Sequence, residues 1–463
     1  MSTTSLTRQS CLFIKHTLHT SWRPQFARSA LANCSRRNLL TLAIETSCDD
    51  TSVALLEKNE KNQSTLHFHD KVTSDNRAAL GIHPVIAIES HQKSLGPLIQ
   101  RAIQKLPDGE PDTKFEFAIP VRDKQTGHTI WKKHPDFVTV TRGPGIYGSL
   151  QTGIDTAKGL AVAWDVPLLG VNHMQAHALT PRLVSSLENS KTGKETIKPE
   201  FPFLSLLVSG GNTMLVHTKS VLTHSILAET LDTAIGNCLD KCAIHVLPPS
   251  LLESGESVSY GPLLERFAFP NGKEDYNYTP EFTKKGQMEA KDSGYEWVVV
   301  PPFSQKGQYT MNFSYSGIRS SVTRIAEEKP NMGDEERRVL AREAMRVAFE
   351  HVGSRALMAL GTPALKGTKT LVVAGGVASN QYLKHVLRTM LDVRGFDDVE
   401  LVFPPLQFCT DNAAMIAWTG MEMWEEGFRS SLEVVGQRKW SIDARKPGGG
   451  ILRLDGWIRR DEV

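Results

Sequence analysis

The chain has 463 residues, 40% of them hydrophobic and 22% charged, with 53 Lys and Arg against 51 Asp and Glu. That length exceeds what one hydrophobic core usually fills, so two domains or a two-lobed enzyme is expected. The composition excludes a disordered or collagen-like chain, no apolar run reaches the roughly 18 residues of a membrane span, and a formal charge of +2 excludes a strongly basic coat protein for nucleic acid.

The charge is unevenly spread. The first acidic residue is Glu45, preceded by Arg8, Lys15, Arg23, Arg28, Arg36 and Arg37 among Ser, Thr and Leu. An Arg-rich, Ser-rich, acid-free start has the composition of a mitochondrial transit peptide, and polar residues interrupt the apolar core that a secretory signal needs. The alternative is a basic arm that touches RNA. Read as a leader, residues 1–37 take six cations with them and leave 47 basic against 51 acidic side chains, a net of −4. Such a protein must hold RNA by a localised basic patch, because bulk attraction is absent. The cysteines at 11, 34, 48, 238, 242 and 409 form no Cys-x-x-Cys pair and read as reduced, small core residues.

After the leader, the apolar run 39–44, the polar turn ETSCDDT (45–51) and SVALLE (52–57) predict strand, turn, strand. The segment 136–171 reads as DFVTVT, a Gly/Pro turn RGPGIYG, a helical SLQTGIDTAKGLAVAW and VPLLGV, a βαβ unit that implies parallel strands. The polar stretch 185–200 reads as a linker between an N-terminal lobe, 38–184, and a C-terminal lobe, 201–407. The second lobe opens with FLSLLVSGGNTMLVH (203–217), a repeat of the first hairpin pattern. In the helix expected over 229–246, Ile235, Leu239, Cys242 and Val246 recur at core spacing, while Asp232, Gly236 and Asp240 form a separate stripe. That stripe is either ligand-facing or a solvated face. Residues 248–310, rich in Pro, Gly and Tyr, read as an insertion with little regular structure. An amphipathic helix over 333–360 should bury Val339, Val347 and Leu357. The strand TLVVAGG leads through VASN into QYLKHVLRTML, and 408–463 forms a returning helix and tail.

His173 and His177 stand four apart in NHMQAH. On a helix that spacing puts two imidazoles on one face, with Cβ atoms about 5–6 Å apart, close enough to share a metal. A zinc protease of the H-E-x-x-H type needs Glu after the first His; Met174 stands there, so that reading loses its base. Asp411 in FCTDNAAM is the candidate third ligand, and two histidines merely lining a helix are the structural alternative. The turns VSGGNT (208–213) and AGGVASN (374–380) each follow an apolar strand and offer backbone N–H groups to phosphate. Neither G-x-x-x-x-G-K-[ST] nor G-x-G-x-x-G occurs, which argues against a P-loop or dinucleotide enzyme. The basic clusters Lys132-Lys133-His134 and Arg337, Arg338, Arg342, Arg346 read chiefly as solvated faces.

The ordered set ETSCDDT, TRGPGIYGSLQTGIDTAKGLA, VNHMQAHAL, LLVSGGNT, DTAIGNCLDK, FSYSGIRS, AGGVASN and CTDNAAMIAW resembles the tRNA N6-adenosine threonylcarbamoyltransferase family. Its basic leader and its ending QRKWSIDARKPGGGILRLDGW resemble the mitochondrial branch. The resemblance implies an α/β, two-lobed actin/sugar-kinase/heat-shock-chaperone-like fold with duplicated mixed sheets and an interlobe cleft. It implies a divalent metal ion, zinc or iron, on His173, His177 and Asp411. Val208, Ser209, Gly210, Gly211, Asn212, Asp240, Gly261 and Asn380 match positions that hold the adenylate of threonylcarbamoyl-AMP, with the turn glycines Gly375 and Gly376 beside them. The implied reaction acylates N6 of adenosine 37 in mitochondrial tRNAs that read codons beginning with A, in the matrix, by a homodimer with no membrane insertion. Asp49 or Asp50 is the candidate base, and the sequence does not choose between them. Asn212 replaces the His of the family's S-G-G-H-T, Asn237 stands at an acid, and Thr233 at a second common acid. Around 81–91 only Pro84, Ala87 and His91 of the family's pattern persist. Those replacements keep two alternatives in view, a non-catalytic nucleotide-binding partner and a small-molecule kinase on the same fold.

Overall fold

A computed structural model of the chain describes residues 38–76, 82–109, 118–253, 260–283, 285–304 and 310–460; the leader expected over 1–37 lies outside them. The first part runs β1 (Leu39–Glu45), β2 (Asp50–Lys58), β3 (Ser64–Thr73), α1 (Pro84–Gln104), β4 (Ala118–Arg122), β5 (Thr129–Lys133), β6 (Phe137–Gly143), α2 (Tyr147–Trp164), β7 (Leu168–Asn172) and α3 (His173–Thr192). Next come β8 (Phe203–Val208), β9 (Thr213–Thr218), β10 (His224–Glu229), α4 (Ile235–Val246), α5 (Pro249–Glu253), α6 (Gly261–Ala268), α7 (Ser316–Glu328) and α8 (Asp334–Leu360). The last are β11 (Thr370–Ala374), α9 (Gln381–Val393), β12 (Glu400–Val402), α10 (Leu406–Cys409), α11 (Ala413–Glu425), β13 (Phe428–Ser430) and β14 (Trp457–Arg459).

Two mixed sheets carry the fold. The first has strand order β14-β13-β7-β6-β1-β2-β3 and the second β10-β9-β8-β11-β12; β4 and β5 form a separate hairpin. Each large sheet repeats one plan. An antiparallel hairpin, β1–β2 or β8–β9, is followed later by a strand that pairs parallel to its first member, β6 on β1 and β11 on β8. This is the α/β fold with duplicated mixed sheets that the sequence implies.

Alternation along the strands explains the layering. On β1, Leu40, Leu42 and Ile44 face a core shared with α1 and α2, whereas Ala43 faces a second core. On β8, Phe203 and Leu207 face that same second core, while Leu204, Leu206 and Val208 face a third, filled by α4, α7, α8 and α9. A period of two lets every such strand serve two layers at once. The middle core holds α3 and α11 between the sheets, through Met174, Ala176, Leu179, Trp418 and Met421. At about 25 cal/mol per Å² of apolar surface removed from water, that doubly covered layer is strongly held. Among the described residues, no helix is long and apolar enough to cross a membrane.

Several local expectations change. The stretch 185–200 is helical as far as Thr192, because Ser186 and Asn189 are buried and bond the Asn62 carbonyl of the β2–β3 turn. The helix expected from 229 begins only at Ile235, since β10 pairs with β9 as far as Glu229. The insertion contains α6, whose Leu264, Phe267 and Ala268 enter the third core. Val347 and Leu357 are buried, but Val339 is only half-buried.

Candidate functional site

The parallel strands of both sheets present their carboxyl ends to one region, where open α/β sheets bind ligands. Glu45 ends β1, and Thr141 to Gly143 end β6. β7 runs directly into α3, so Asn172 is at once the last strand residue and the helix cap, accepting from the Met174 and Gln175 N–H groups. That junction fixes where His173 begins the helix, and the next turn carries His177.

The two histidines meet Asp411, which stands two residues before α11. His177 Nε2 lies 3.0 Å from Asp411 Oδ1 and 3.2 Å from His173 Nε2, and His173 Nε2 lies 3.4 Å from the same carboxylate oxygen. Both rings are buried, and they stand edge to face with centroids 4.6 Å apart. The three ligand atoms fall within 4.8 Å of one another. Two imidazoles and one carboxylate converging in this way are capable of coordinating a divalent ion.

Glu45 stands behind this triangle. Fully buried, it places Oε2 at 3.2 Å from His173 Nδ1, accepts from the Ser47 N–H at 2.6 Å and from the Thr141 hydroxyl, while Ser47 Oγ also lies 3.2 Å from His173 Nδ1. Metal-bound imidazoles usually donate their second N–H to such a carboxylate, which fixes tautomer and ring orientation. Burial works against a charged His173 ring, but Asp411 and Glu45 outweigh it and hold the ring well above its ordinary range. In turn Asp411 is held well below its own range: burial opposes this, and His173 and His177 prevail. Sequence reasoning missed Glu45. Its signal was a carboxylate at the end of an otherwise apolar strand.

The two candidate bases differ sharply. Asp50 is buried in an ion pair with Lys71 at 2.7 Å and accepts from the Thr73 hydroxyl. Lys71 also reaches Thr410 Oγ1 at 2.9 Å, so Asp50 braces the strand beside Asp411. Asp49 is half-buried, and burial, then Asp50 and Asp411, push its carboxyl up to about 6. His91 explains part of the eroded motif: Nδ1 meets Thr51 Oγ1 at 2.8 Å and Nε2 meets the Cys48 carbonyl at 3.0 Å, clamping the acidic turn onto α1.

The glycine turns lie at the ends of β8 and β11. Ser209 to Asn212 form a tight, mostly exposed turn in which the Gly211 and Asn212 N–H groups point to Ser209 Oγ, at 3.3 and 3.0 Å. A Cβ on Gly210, Gly211 or Gly376 would stand in open space, so a ligand can approach the backbone there. Gly375 is obligatory: its φ is +105°, and a Cβ would lie 2.3 Å from the Val208 carbonyl. Gly236 lets α4 touch the first turn, its N–H bonding the Ser209 carbonyl at 3.1 Å. Asp240 and Gly261 are brought together, with Asp240 Oδ1 accepting from the Tyr260 and Gly261 N–H groups at 2.8 Å each. Asn380 caps α9 by accepting from the Leu383 N–H at 2.8 Å. Packing of α10 against the turn Gly376–Ser379 links this side to Asp411. Asp232, by contrast, binds the 314–316 loop through the hydroxyls of Ser314 and Ser316 and the Tyr315 N–H. The basic clusters are internally tied: Lys132 to Asp108, Lys133 to Glu57, and Arg346 to Glu343 and Glu350.

Two duplicated mixed sheets whose strand ends carry glycine turns and a His–His–Asp triangle define an α/β protein with a candidate metal centre. The sequence model "TsaD: tRNA N6-adenosine threonylcarbamoyltransferase" matches residues 127–418. The mitochondrial tRNA N6-adenosine threonylcarbamoyltransferase of Schizosaccharomyces pombe is 36% identical over 92% of this chain and 90% of that protein. The tRNA N6-adenosine threonylcarbamoyltransferase of Novosphingobium aromaticivorans is 31% identical over 87% of this chain and 96% of its own length. Among solved structures, T. kodakarensis HypF aligns over 85% of this chain and 48% of that one, with 13% identity and a TM-score of 0.39. The chain belongs to the tRNA N6-adenosine threonylcarbamoyltransferase family and is an acyltransferase of that family.

Proposed function

We propose that this chain forms N6-threonylcarbamoyladenosine at position 37 of mitochondrial tRNAs that read codons beginning with A, taking the acyl group from threonylcarbamoyl-AMP in the matrix. Family membership, the mitochondrial relative and the basic leader support the setting. The observation that carries the chemistry is the convergence of His173, His177 and Asp411 at the strand ends, linked through α10 to the glycine turn of β11. A divalent ion, zinc or iron, held there would polarise an oxygen of the donor.

The chain's own groups do the rest. Backbone N–H groups around Gly210 and the Gly375–Gly376 turn face the adenylate phosphate, with Val208 to Asn212, Asp240, Gly261 and Asn380 framing the nucleotide. Adenosine N6 attacks the carbamoyl carbon, a new N–C bond forms, the mixed-anhydride C–O bond breaks, and AMP departs with the electron pair. Asp49, half-buried and poised at about 6, accepts the proton that N6 loses; Asp50 holds Lys71 instead. The lobes 38–184 and 201–407, the segment 185–200, the insertion 248–310 and the returning 408–463 are the divisions proposed to frame the site. A homodimer, proposed from the likeness to the mitochondrial branch, is tested by light scattering.

The test is reconstitution with threonylcarbamoyl-AMP and a tRNA reading A-initial codons, followed by mass spectrometry of the nucleosides. The modified nucleoside is expected with the intact protein, with loss of the product in His173→Ala/His177→Ala. Undiminished transfer by that double variant would remove the metal role.

A further inference from the structure

The tail between Gly436 and Lys446 straps the first sheet to the second beside the ligand triangle. At one anchor the Gln437 N–H donates to the Arg142 carbonyl at 2.8 Å, packed so closely that a Cβ on Gly143 would meet the Gln437 carbonyl at 2.3 Å. At the next, buried Trp440 accepts from Asn172 Nδ2 at 3.1 Å, and its ring lies 5.9 Å from the Arg142 guanidinium. Asn172 is the cap that precedes His173. Farther on, Asp443 Oδ2 accepts from the Ile226 N–H of β10 at 2.8 Å.

Only Arg438 and Lys439 lie between the first two anchors. Both are exposed, and among the described residues neither has an ion-pair or hydrogen-bond partner. Neighbouring cations are already engaged: Lys71 with Asp50, Arg445 with Asp443, Lys446 with Glu229. The strap also passes the N-terminal end of α2, where the Gly436 N–H meets Gln151 Oε1 at 3.4 Å. That helix begins at Tyr147, which is 48% exposed. The residue before it, Ile146, donates its N–H to the Ser47 carbonyl at 2.8 Å, and Ser47 touches His173. Two free cations and an exposed aromatic ring thus stand on neighbouring segments that are bonded to the residues flanking the triangle, the pairing of phosphate and base contacts that single-stranded nucleic acid requires.

We propose that Arg438 and Lys439, with Tyr147, form the surface that grips the tRNA backbone and stacks a base next to the acceptor adenosine. The proposal rests on the tRNA reading above. It makes specific what an acidic mature chain demands: a small positive surface held rigid at the site and unspent on internal ion pairs. Two anchors within three residues limit the strap's freedom, so less entropy is lost when RNA binds.

The test measures tRNA affinity by fluorescence anisotropy across salt concentration, with wild type, Arg438→Ala/Lys439→Ala, the exchange Arg438→Lys/Lys439→Arg, and Tyr147→Ala. The double alanine variant is expected to weaken tRNA binding about tenfold near 0.15 M salt and to flatten the log–log salt slope by about two. The charge exchange should restore the slope, and Tyr147→Ala should weaken binding at an unchanged slope. Affinity for threonylcarbamoyl-AMP and metal content should stay as in wild type. Wild-type tRNA affinity and slope in the folded double alanine variant would overturn the proposal, as would an equal loss of binding to polyglutamate, which would reassign the surface to an acidic protein. Transfer to tRNA by the wild type in the same assay separates failure of this surface from failure of the functional reading.

Discussion

Changing Glu45 to Gln alters one atom type behind His173 without changing size. In the wild type, Glu45 Oε1 accepts from the Ser47 N–H at 2.6 Å and Oε2 faces His173 Nδ1 at 3.2 Å. The carboxylate therefore holds a proton on Nδ1, so that when a metal ion displaces the other proton it is the Nε2 lone pair that faces His177 and Asp411. A glutamine has two ways to sit there. With its NH2 toward His173 it donates to Nδ1, drives the proton to Nε2 and blocks the ligand atom. With its oxygen toward His173, the NH2 meets the Ser47 N–H, donor against donor, at a cost of about 1–3 kcal/mol. Either arrangement weakens a metal bound at Nε2, and loss of such a partner typically costs 10–100-fold in affinity, about 1.4–2.8 kcal/mol. The assay is competition between the protein and a chromophoric chelator for Zn²⁺, with circular dichroism to confirm folding and His173→Ala as the reference for ligand loss. Unchanged zinc affinity in a folded Glu45→Gln protein would refute the reasoning.

Three other substitutions test separate parts of the structure. Gly236→Ala would bring a Cβ to 2.8 Å from both the Gly210 nitrogen and the Ser209 carbonyl; it should cost about 1–3 kcal/mol in denaturant unfolding and weaken adenylate binding, and a wild-type midpoint would contradict the close packing. Asp49→Asn should lower kcat 10²–10⁴-fold (an order-of-magnitude range for a lost general base) with tRNA affinity intact, whereas Asp50→Asn should lower unfolding stability by on the order of 1 kcal/mol through loss of the Lys71 contact; the reverse pattern would exchange their roles. Glu422, buried and 2.7 Å from Arg182, is pushed by burial up to about 7 despite that partner. A folded-state value above the unfolded one of 4.5 means a contribution fully present below about pH 4.5 and lost as pH rises through 7, worth up to roughly 3 kcal/mol. Denaturation between pH 5 and 8 should show that decline in wild type and a flatter profile in Glu422→Gln.

Local periodicity carried the sequence reading a long way. Ile235, Leu239, Cys242 and Val246 are all buried, as their spacing requires, and the βαβ unit over 136–171 is present as β6, α2 and β7. His173 and His177 were readable as a pair because helical spacing is a local property. Asp411 is a candidate third ligand from its place in FCTDNAAM, but nothing in the spacing says that a turn 234 residues away will close on the histidines; only the fold shows that. Glu45 was harder still: its part depends on depth of burial and on the direction of β1, neither of which a lone acid at a strand end reveals. Asp232 failed the other way. It belonged to a regular stripe, yet the strand pairing of β10 kept it out of the helix, and its carboxylate went to a loop some 80 residues on, at Ser314 and Ser316. The basic runs at 132–133 and 337–346 read chiefly as solvated faces, and most of their cations are in fact tied down, Lys132 and Lys133 by Asp108 and Glu57, Arg346 by Glu343 and Glu350 of its own helix, and Arg337 by backbone carbonyls.

β13 bonds to the open side of β7, and Ser430 Oγ accepts from the Gly170 N–H across 260 residues of chain. During vectorial synthesis or translocation, β7 therefore waits with a bare edge until almost the whole polypeptide has emerged, and an unpaired edge is a site of aggregation. The same wait applies to Asp411. A nascent or truncated chain that stops short of it has both histidines but no third ligand, and it presents the bare edge to chaperones and proteases. Metal retention would thus report that synthesis had passed Asp411, while covering the β7 edge waits for β13 some 17 residues later.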